Sequence, residues 1–290
     1  MFHKVFVSEA WRSMFGMEML PSAIFLILLF FVPESPRWLI QNGQERNGRN
    51  ILEKISGLEV AKKEFKEISS SFSLETGKIS ELFKPGLRTA LMVGIGLSVF
   101  GQLTGINAII YYGPSILAET GIQLGSALQF QVILGIINLV FTVLALWVID
   151  KLGRRPLLIG GMALVVVTLF VAGFLFASGN PDGVLIVVVL GAYIACIALS
   201  ICAVIWVLTP EIFPNRIRGR AMSIAAFSNW GTNTIAAYLF PWYVATFGMH
   251  TGFFTFGAIC LIATLFFWKY VPETKGKSLE EIEQLFKAKG

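Results

Sequence analysis

The chain has 290 residues, of which 55% are hydrophobic and only 14% are charged, and its mean hydropathy is +0.72. Ordinary soluble domains carry about 25% charged residues, so the composition argues against one large soluble core. The formal net charge of +5 is distributed over separate loops, which excludes the clustered basic face of a nucleic-acid-binding protein. Composition therefore predicts an all-α, polytopic membrane protein lying in a lipid bilayer.

Seven apolar runs follow one another, and an α-helix needs about 20 such residues to cross a bilayer. They cover residues 14–32, 89–118, 128–149, 157–177, 184–208, 221–244 and 251–268. The first run contains Glu18 and Pro21 and lacks a small-residue cleavage site, which argues against a signal peptide. The three cysteines lie within these runs without metal-ligand spacing, so we expect free thiols and no bound metal.

Positive charges alternate between the loops that separate these runs. Residues 119–127, 178–183 and 245–250 contain no Lys or Arg, whereas ten such residues lie in 33–88 and five follow Trp268. Cytoplasmic loops of membrane proteins carry the excess of Lys and Arg. The pattern therefore predicts that both the 33–88 segment and the C-terminal tail are cytoplasmic.

Two of the runs end in the same five-residue pattern, FVPES at 31–35 and YVPET at 270–274. The repetition at two exits on one side of the membrane predicts duplicated halves. The first run is then the last helix of one half, and the other six runs form a complete second half. The predicted domains are the last helix of the N-terminal half (1–32), an inter-half segment (33–88), a six-helix half (89–271) and a tail (272–290).

Apolar residues recur at helical spacing within the charged inter-half segment. Ile51, Leu52 and Ile55 form one such set, and Val60 and Phe65 belong to another. This pattern predicts short amphipathic helices under the bundle, with a flexible linker as the alternative.

Charged residues of both signs flank the cytoplasmic ends of the apolar runs. Arginine holds carboxylates bidentately, so we expect an ion-pair latch that forms when the inner side is closed, with Glu211 paired to Arg154 or Arg155. The alternative is that these arginines fix the topology and meet lipid phosphates. The predicted latch comprises Glu34, Arg37, Asp150, Arg154, Arg155, Glu211, Arg218 and Glu273.

The segment GQLTGINAIIYYGP, residues 101–114, is unusually polar for an apolar run. Its three glycines and its proline weaken a regular helix, and broken backbone at membrane depth is tolerated where it lines a water-filled cavity. The amides of Gln102 and Asn107 can both donate and accept hydrogen bonds, which suits vicinal hydroxyl groups. The alternative is that these amides bond neighbouring helices.

Five motifs in order resemble the sugar porter family of the major facilitator superfamily, and most closely its bacterial pentose and hexose–proton symporters. They are PESPRW at 33–38, GIN with YY at 105–112, GRR at 153–155, EIFP with RG at 211–219, and PETKG at 272–276. The resemblance implies twelve helices in two halves, a site near the midplane, and a bacterial inner membrane location. The chain matches the sixth to twelfth helices, so we expect a missing N-terminal half as partner.

The resemblance also implies roles for individual residues. Tyr111 and Tyr112 correspond to the outer gate. Two departures from the family are visible: Gly101 replaces the first of two successive glutamines, and residues 200–206 lack the glycine and proline that usually precede the tryptophan. The implied sugar ligands are Gln102, Asn107, Asn138, Trp206 and Asn229.

The function predicted is transmembrane transport of a neutral, xylose- or hexose-like monosaccharide by alternating access, coupled to protons in the full-length protein. The alternatives are an incomplete half-transporter that binds sugar or is inactive alone, and a polyol facilitator. Of the 18 acidic residues, only Glu18 enters an apolar run. No His, Asp or Cys cluster has nucleophile spacing, so we expect neither enzymatic activity nor a cofactor.

Overall fold

In the computed structural model, the described residues are 10–72, 79–179, 181–277 and 279–287, and they contain helices and no strand. The chain divides into two compact units, residues 1–75 and 76–290. This division differs from the predicted boundaries at 32, 88 and 271, which stay predictions. Residues 288–290 of the predicted tail lie outside the described residues.

The described residues of the first unit, 10–72, form four helices. They are α1 (Ala10–Leu29), α2 (Pro36–Gln41), α3 (Glu45–Ser56) and α4 (Leu58–Phe72). Ile40, Leu52 and Ala61 form a small buried core, against which Phe65 and Ile68 pack. Of the residues whose spacing predicted amphipathic helices, Leu52 is buried in this core and Phe65 packs against it, whereas Ile55 and Val60 are exposed.

In the described part of the second unit, a 3-10 helix, Ile79–Phe83, is followed by nine α-helices. They are α5 (Leu87–Leu103), α6 (Ile106–Ala118), α7 (Leu124–Leu152), α8 (Arg154–Ala177), α9 (Gly183–Leu199), α10 (Ile201–Glu211), α11 (Asn215–Phe247), α12 (Met249–Tyr270) and α13 (Leu279–Lys287). Among them α8 lies along α12, α5 lies along α11, and α9 packs against both α7 and α8.

Glycine and phenylalanine interlock where α8 meets α12. A Cβ on Gly173 would lie 2.6 Å from the ring of Phe254, and one on Gly257 would lie 3.1 Å from the ring of Phe170. Small residues at such contacts allow helices to approach closely, which is the main source of packing energy between helices in a bilayer.

Five helical segments of the described residues are long and apolar enough to cross a membrane. They are Leu87–Ala118, Gly125–Leu152, Arg154–Ala177, Gly183–Glu211 and Met249–Tyr270. The other two predicted spans also lie in helices but do not meet this measure. The apolar part of α1, Phe15–Leu29, is shorter, and α11 is long but more polar because Ser, Thr and Asn recur along it.

Candidate functional site

A break in the helical backbone separates α5 from α6 in the middle of the predicted span 89–118. Gly105 has a φ of +87° at this point, a conformation that favours glycine. Thr104 donates from its hydroxyl to the carbonyl of Gly101 at 2.7 Å. The buried Tyr193 of α9 donates its hydroxyl to the carbonyl of Thr104 at 2.9 Å. The backbone at the break is therefore held by neighbouring side chains, as membrane depth requires.

Three amide side chains form a hydrogen-bonded chain beside this break. Asn107 donates from Nδ2 to Oε1 of Gln102 at 2.7 Å. Gln102 donates from Nε2 to Oδ1 of Asn229 at 2.9 Å, and Asn229 reaches the carbonyl of Ser98 at 3.5 Å. Each amide uses one N–H in this way, which leaves a second N–H on each for another partner.

The indole of Trp206 in α10 lies beside these amides and is 55% exposed. Trp206 and Asn229 line two cavities of about 60 and 260 Å³, and Gln102 lines the smaller one. Ser98 and Thr209 line the larger cavity. None of the residues that line the two cavities is charged, so the site suits a neutral polar ligand with an apolar face.

The remaining predicted ligand, Asn138, and the predicted gate residues, Tyr111 and Tyr112, do not belong to the amide chain. Asn138 is half-buried in α7, and within the described residues no hydrogen bond joins it to the three amides. Tyr111 is 54% exposed, whereas the hydroxyl of Tyr112 donates to the carbonyl of Ala237 in α11 at 3.1 Å. The structure thus brings together Gln102, Asn107 and Asn229, and it places Tyr112 in a contact between helices.

A second break separates α9 from α10, next to Trp206. Ser200 has φ −107° and ψ −101°, and its hydroxyl donates to the carbonyl of Cys196 at 2.6 Å. A Cβ on Gly161 of α8 would overlap the side chain of Ser200. The helix therefore bends without the glycine or proline that the family usually has, because a serine and the space beside it serve instead.

A carboxylate caps the N-terminal end of α8. Glu273 accepts hydrogen bonds from the backbone N–H groups of Arg154 and Arg155, each at 3.0 Å. Gly153 has a φ of +93°, and a Cβ there would lie 2.7 Å from Oε2 of Glu273. Partial burial raises the pKa of Glu273, but hydrogen bonds from four backbone N–H groups outweigh it and lower the pKa below its ordinary value.

Arg154 joins this cap to the end of α10. Its guanidinium lies 3.0 Å from Glu211 and 3.0 Å from Asp150, and its side chain is 14% exposed. Thr274 donates its hydroxyl to the second oxygen of Glu211 at 2.6 Å. One end of each of α7, α8, α10 and α12 therefore meets the others in one network of charges, on the side predicted to be cytoplasmic.

The side chains of two other arginines of the predicted latch have partners other than Glu211. Arg155 donates from its guanidinium to the carbonyl of Trp268 at 2.7 Å, and Arg218 donates from Nε to the carbonyl of Phe213 at 3.3 Å. The partner of Glu211 is thus Arg154. Glu34 and Arg37 belong to the first unit, where Glu34 is exposed in the loop before α2.

Three polar residues of the site region have roles that sequence analysis missed. They are Thr274, Tyr193 and Gln131, and each bonds a group on another helix. Thr274 follows Glu273 in the PETKG motif, so the prediction that Glu273 belongs to the latch was a signal that Thr274 lies there too. Tyr193 and Gln131 stand alone in apolar runs without any local pattern. Across the described ranges, no group of three or more His, Cys, Asp or Glu side chains is placed to hold a metal ion.

The fold and the site together define a polytopic helical membrane protein with an uncharged polar site between broken helices. A family model described as "Sugar (and other) transporter" matches residues 1–286. The chain belongs to this sugar porter family of the major facilitator superfamily, a family of transporters.

Two curated relatives show how much of such proteins the chain covers. It is 40% identical over 281 residues to an arabinose-proton symporter of Bacillus subtilis, and the aligned region covers 97% of this chain and 61% of that relative. It is 40% identical over 287 residues to a D-xylose-proton symporter of Escherichia coli, and the aligned region covers 96% of this chain and 58% of that relative. The chain therefore spans about three fifths of the length of these relatives.

Solved structures of a xylose symporter are similar in fold. The proton:xylose symporter XylE bound to 6-bromo-6-deoxy-D-glucose matches with a TM-score of 0.80 and 38% identity over 97% of this chain and 60% of that one. The inward-open conformation of the Escherichia coli transporter matches with a TM-score of 0.74 and 36% identity, over 97% of this chain and 58% of that one.

Proposed function

We propose that this protein binds a neutral monosaccharide of pentose or hexose size at the Gln102–Asn107–Asn229 amide chain. The observation that carries the proposal is that Gln102 and Asn229 line cavities with Trp206 in which no residue is charged. Asn107 is hydrogen-bonded to Gln102 beside them. Amides that donate and accept suit vicinal hydroxyls, and an indole packs on the apolar face of a sugar ring. Relatives named for arabinose and D-xylose support the same class of substrate.

The proposed activity is transport by alternating access, in which this six-helix half rocks against an N-terminal half. The relatives extend well beyond the region that this chain covers, which supports a second half as the partner. Proton coupling is proposed from the same relatives, since they are named proton symporters. Intramembrane acids normally mark a coupling path, and in this chain only Glu18 enters an apolar run, so we propose that the coupling acid lies in the other half.

The cytoplasmic network is proposed to stabilise the state in which the inner side is closed. The supporting contacts are the pairs from Arg154 to Glu211 and Asp150 and the cap that Glu273 provides. These contacts join four helix ends, and opening the inner side requires such ends to separate.

Binding is tested with the chain co-expressed with the N-terminal helices of the Bacillus subtilis arabinose symporter, using radiolabelled arabinose and xylose. Gln102→Ala and Asn107→Ala should each weaken binding about 5- to 150-fold, the effect of leaving one buried hydrogen-bonding group unpaired. Trp206→Ala should weaken binding to a similar extent by removing the stacking face. Gln123→Ala, an exposed amide just before α7, is the matched control.

The same preparations distinguish the alternatives. Uptake driven by a pH gradient in the co-expressed assembly supports a symporter, whereas binding without uptake supports a half-transporter that only holds sugar. Unchanged affinity in all three variants, with each protein correctly inserted, would leave the amides with a role in helix packing alone.

A further inference from the structure

Among the prolines inside helices that border the candidate site are Pro114 in α6 and Pro241 in α11. Proline has no N–H, so the carbonyl four residues earlier loses the hydrogen bond that it accepts in a regular helix. The affected carbonyls are those of Ile110 and Ala237. Within a bilayer no water is available to replace the lost donor, so another protein group must do so.

A side chain from a neighbouring helix reaches each of these two carbonyls. Gln131 of α7 donates from Nε2 to the carbonyl of Ile110 at 2.9 Å. Tyr112 of α6 donates its hydroxyl to the carbonyl of Ala237 in α11 at 3.1 Å. Helix α6 is thus joined to α7 on one side and to α11 on the other, within one turn of its length.

Gly113 provides the space for the first of these contacts. A Cβ at this position would overlap Oε1 of Gln131, and the φ of Gly113 is not in the left-handed region. Backbone conformation therefore does not require a glycine here, whereas the approach of Gln131 does.

We infer that Gln131 is a positioning residue for α6, the helix that carries Asn107. It supplies the hydrogen bond that Pro114 removes, Gly113 leaves room for it, and α6 is fixed against α7 as a result. The consequence for sugar binding rests on the function proposed above, whereas the replacement of the lost hydrogen bond does not.

A double-mutant cycle separates this role from ordinary packing. Pro114→Ala restores a backbone N–H for the carbonyl of Ile110, so Gln131 then has no missing bond to replace. Residues coupled through one hydrogen bond give non-additive effects, while independent packing effects add. Pro114→Ser restores the same N–H and serves as a second background if the alanine variant does not accumulate.

The measurement is the apparent melting temperature of the purified full chain in detergent. Gln131→Leu should lower it by about 2–4 °C, the shift that follows from one unpaired buried carbonyl. Gly113→Ala should lower it similarly by displacing the amide. Gln129→Leu, the same change at an exposed position of α7, should leave it within about 1 °C.

In the Pro114→Ala or Pro114→Ser background, the shift caused by Gln131→Leu should fall to less than half. An equal shift in both backgrounds, or no shift in either, overturns the inference. Tyr112→Phe combined with Pro241→Ala provides the corresponding cycle for the second carbonyl. No sugar enters these measurements, so a failure here is distinguishable from a failure of the proposed transport activity.

Discussion

Several of the most informative side chains in this protein satisfy backbone groups that helix ends and prolines leave open. Glu273 accepts from the first N–H groups of α8, and Tyr193 donates to the carbonyl at the α5–α6 break. Such groups are costly when they are unpaired away from water. A single side chain can therefore decide where a helix begins, bends or ends.

The cap on α8 predicts a pH-dependent stability. Glu273→Gln keeps an oxygen acceptor but removes the charge, so it should lower the free energy of unfolding by about 0.3–1 kcal/mol at pH 7, the usual effect of a negative charge at a helix N-terminus. The pKa of Glu273 is lower in the folded state than its ordinary value of 4.5. The stabilisation by its charge is therefore complete above about pH 4.5 and is lost as the pH falls through the lower folded-state value.

Thermal unfolding of wild type and variant at a series of pH values measures this effect. The gap between the two proteins should be largest near neutrality and should shrink in acid. The control is Glu34→Gln, because Glu34 is the corresponding acid of the FVPES pattern and its side chain is exposed. A gap that stays constant down to acid pH would show that the charge of Glu273 does not stabilise the helix end.

Sequence could identify Gln102 and Asn107 because they stand among glycines inside an apolar run, where amides are expensive without a purpose. It could not show that Asn229, 127 residues from Gln102, would be bonded to it. The role of Gln131 was out of reach for the same reason. Pro114 predicts that some donor is needed, but tertiary packing alone decides which side chain provides it.

Among the structural elements, the two broken helices are the ones that shape the site. Glycines and a proline predict a weak helix over residues 101–114, but the break lies only at Gly105, and α6 continues through Gly113 and Pro114. Residues 200–206 contain no glycine or proline, so no local sequence signal predicts the break at Ser200. The space that the Ser200 side chain occupies is left by Gly161 on another helix, and a pattern local to α9 and α10 does not contain that residue.

Two glycines in the same segment should respond in opposite ways to substitution by alanine. Gly105→Ala should destabilise the protein by about 1–3 kcal/mol, because its φ of +87° is unfavourable for alanine and its Cβ would lie 2.6 Å from the ring of Phe256. Gly101 lies inside α5, and a Cβ there would meet Ile205 at an ordinary 3.5 Å. Gly101→Ala should therefore be neutral or stabilising by up to about 1 kcal/mol.

Melting temperatures of the two variants, compared with wild type, test this pair. Equal destabilisation of both variants would mean that the whole segment, rather than its single break, depends on glycine.

At the scale of the whole molecule, hydropathy is sufficient to predict a helical membrane bundle. The loop charges add an orientation, which stays a prediction. The repeated pattern and the family motifs add the prediction that the full protein has two halves. The arrangement of helices around the site could not be predicted in this way, because every span is apolar and hydropathy does not distinguish one neighbour from another. Contacts such as those between α8 and α12 depend on complementary shapes of Gly and Phe across long sequence separations.

The orientation gives a direct prediction for cysteine labelling. Ser178→Cys, in a loop without Lys or Arg, should react with an impermeant thiol reagent added outside intact cells. Lys62→Cys and Lys277→Cys should react only after the membrane is permeabilised. The unmodified chain is the control, since its three cysteines lie within the apolar runs. The reverse pattern of labelling would contradict the predicted orientation.

The cap on α8 has a consequence for the biosynthesis of the protein. Arg154 and Glu273 are 119 residues apart, and a ribosome makes the chain from its N-terminus. When α8 enters the membrane, the carboxylate that will cap it has not been translated, and neither has α12. The network that joins one end of each of α7, α8, α10 and α12 can therefore close only after every one of these helices has left the ribosome. Until then the nascent helices are joined by their loops and by lateral contacts alone, and the carboxylate that completes the network arrives with the segment after the last transmembrane helix.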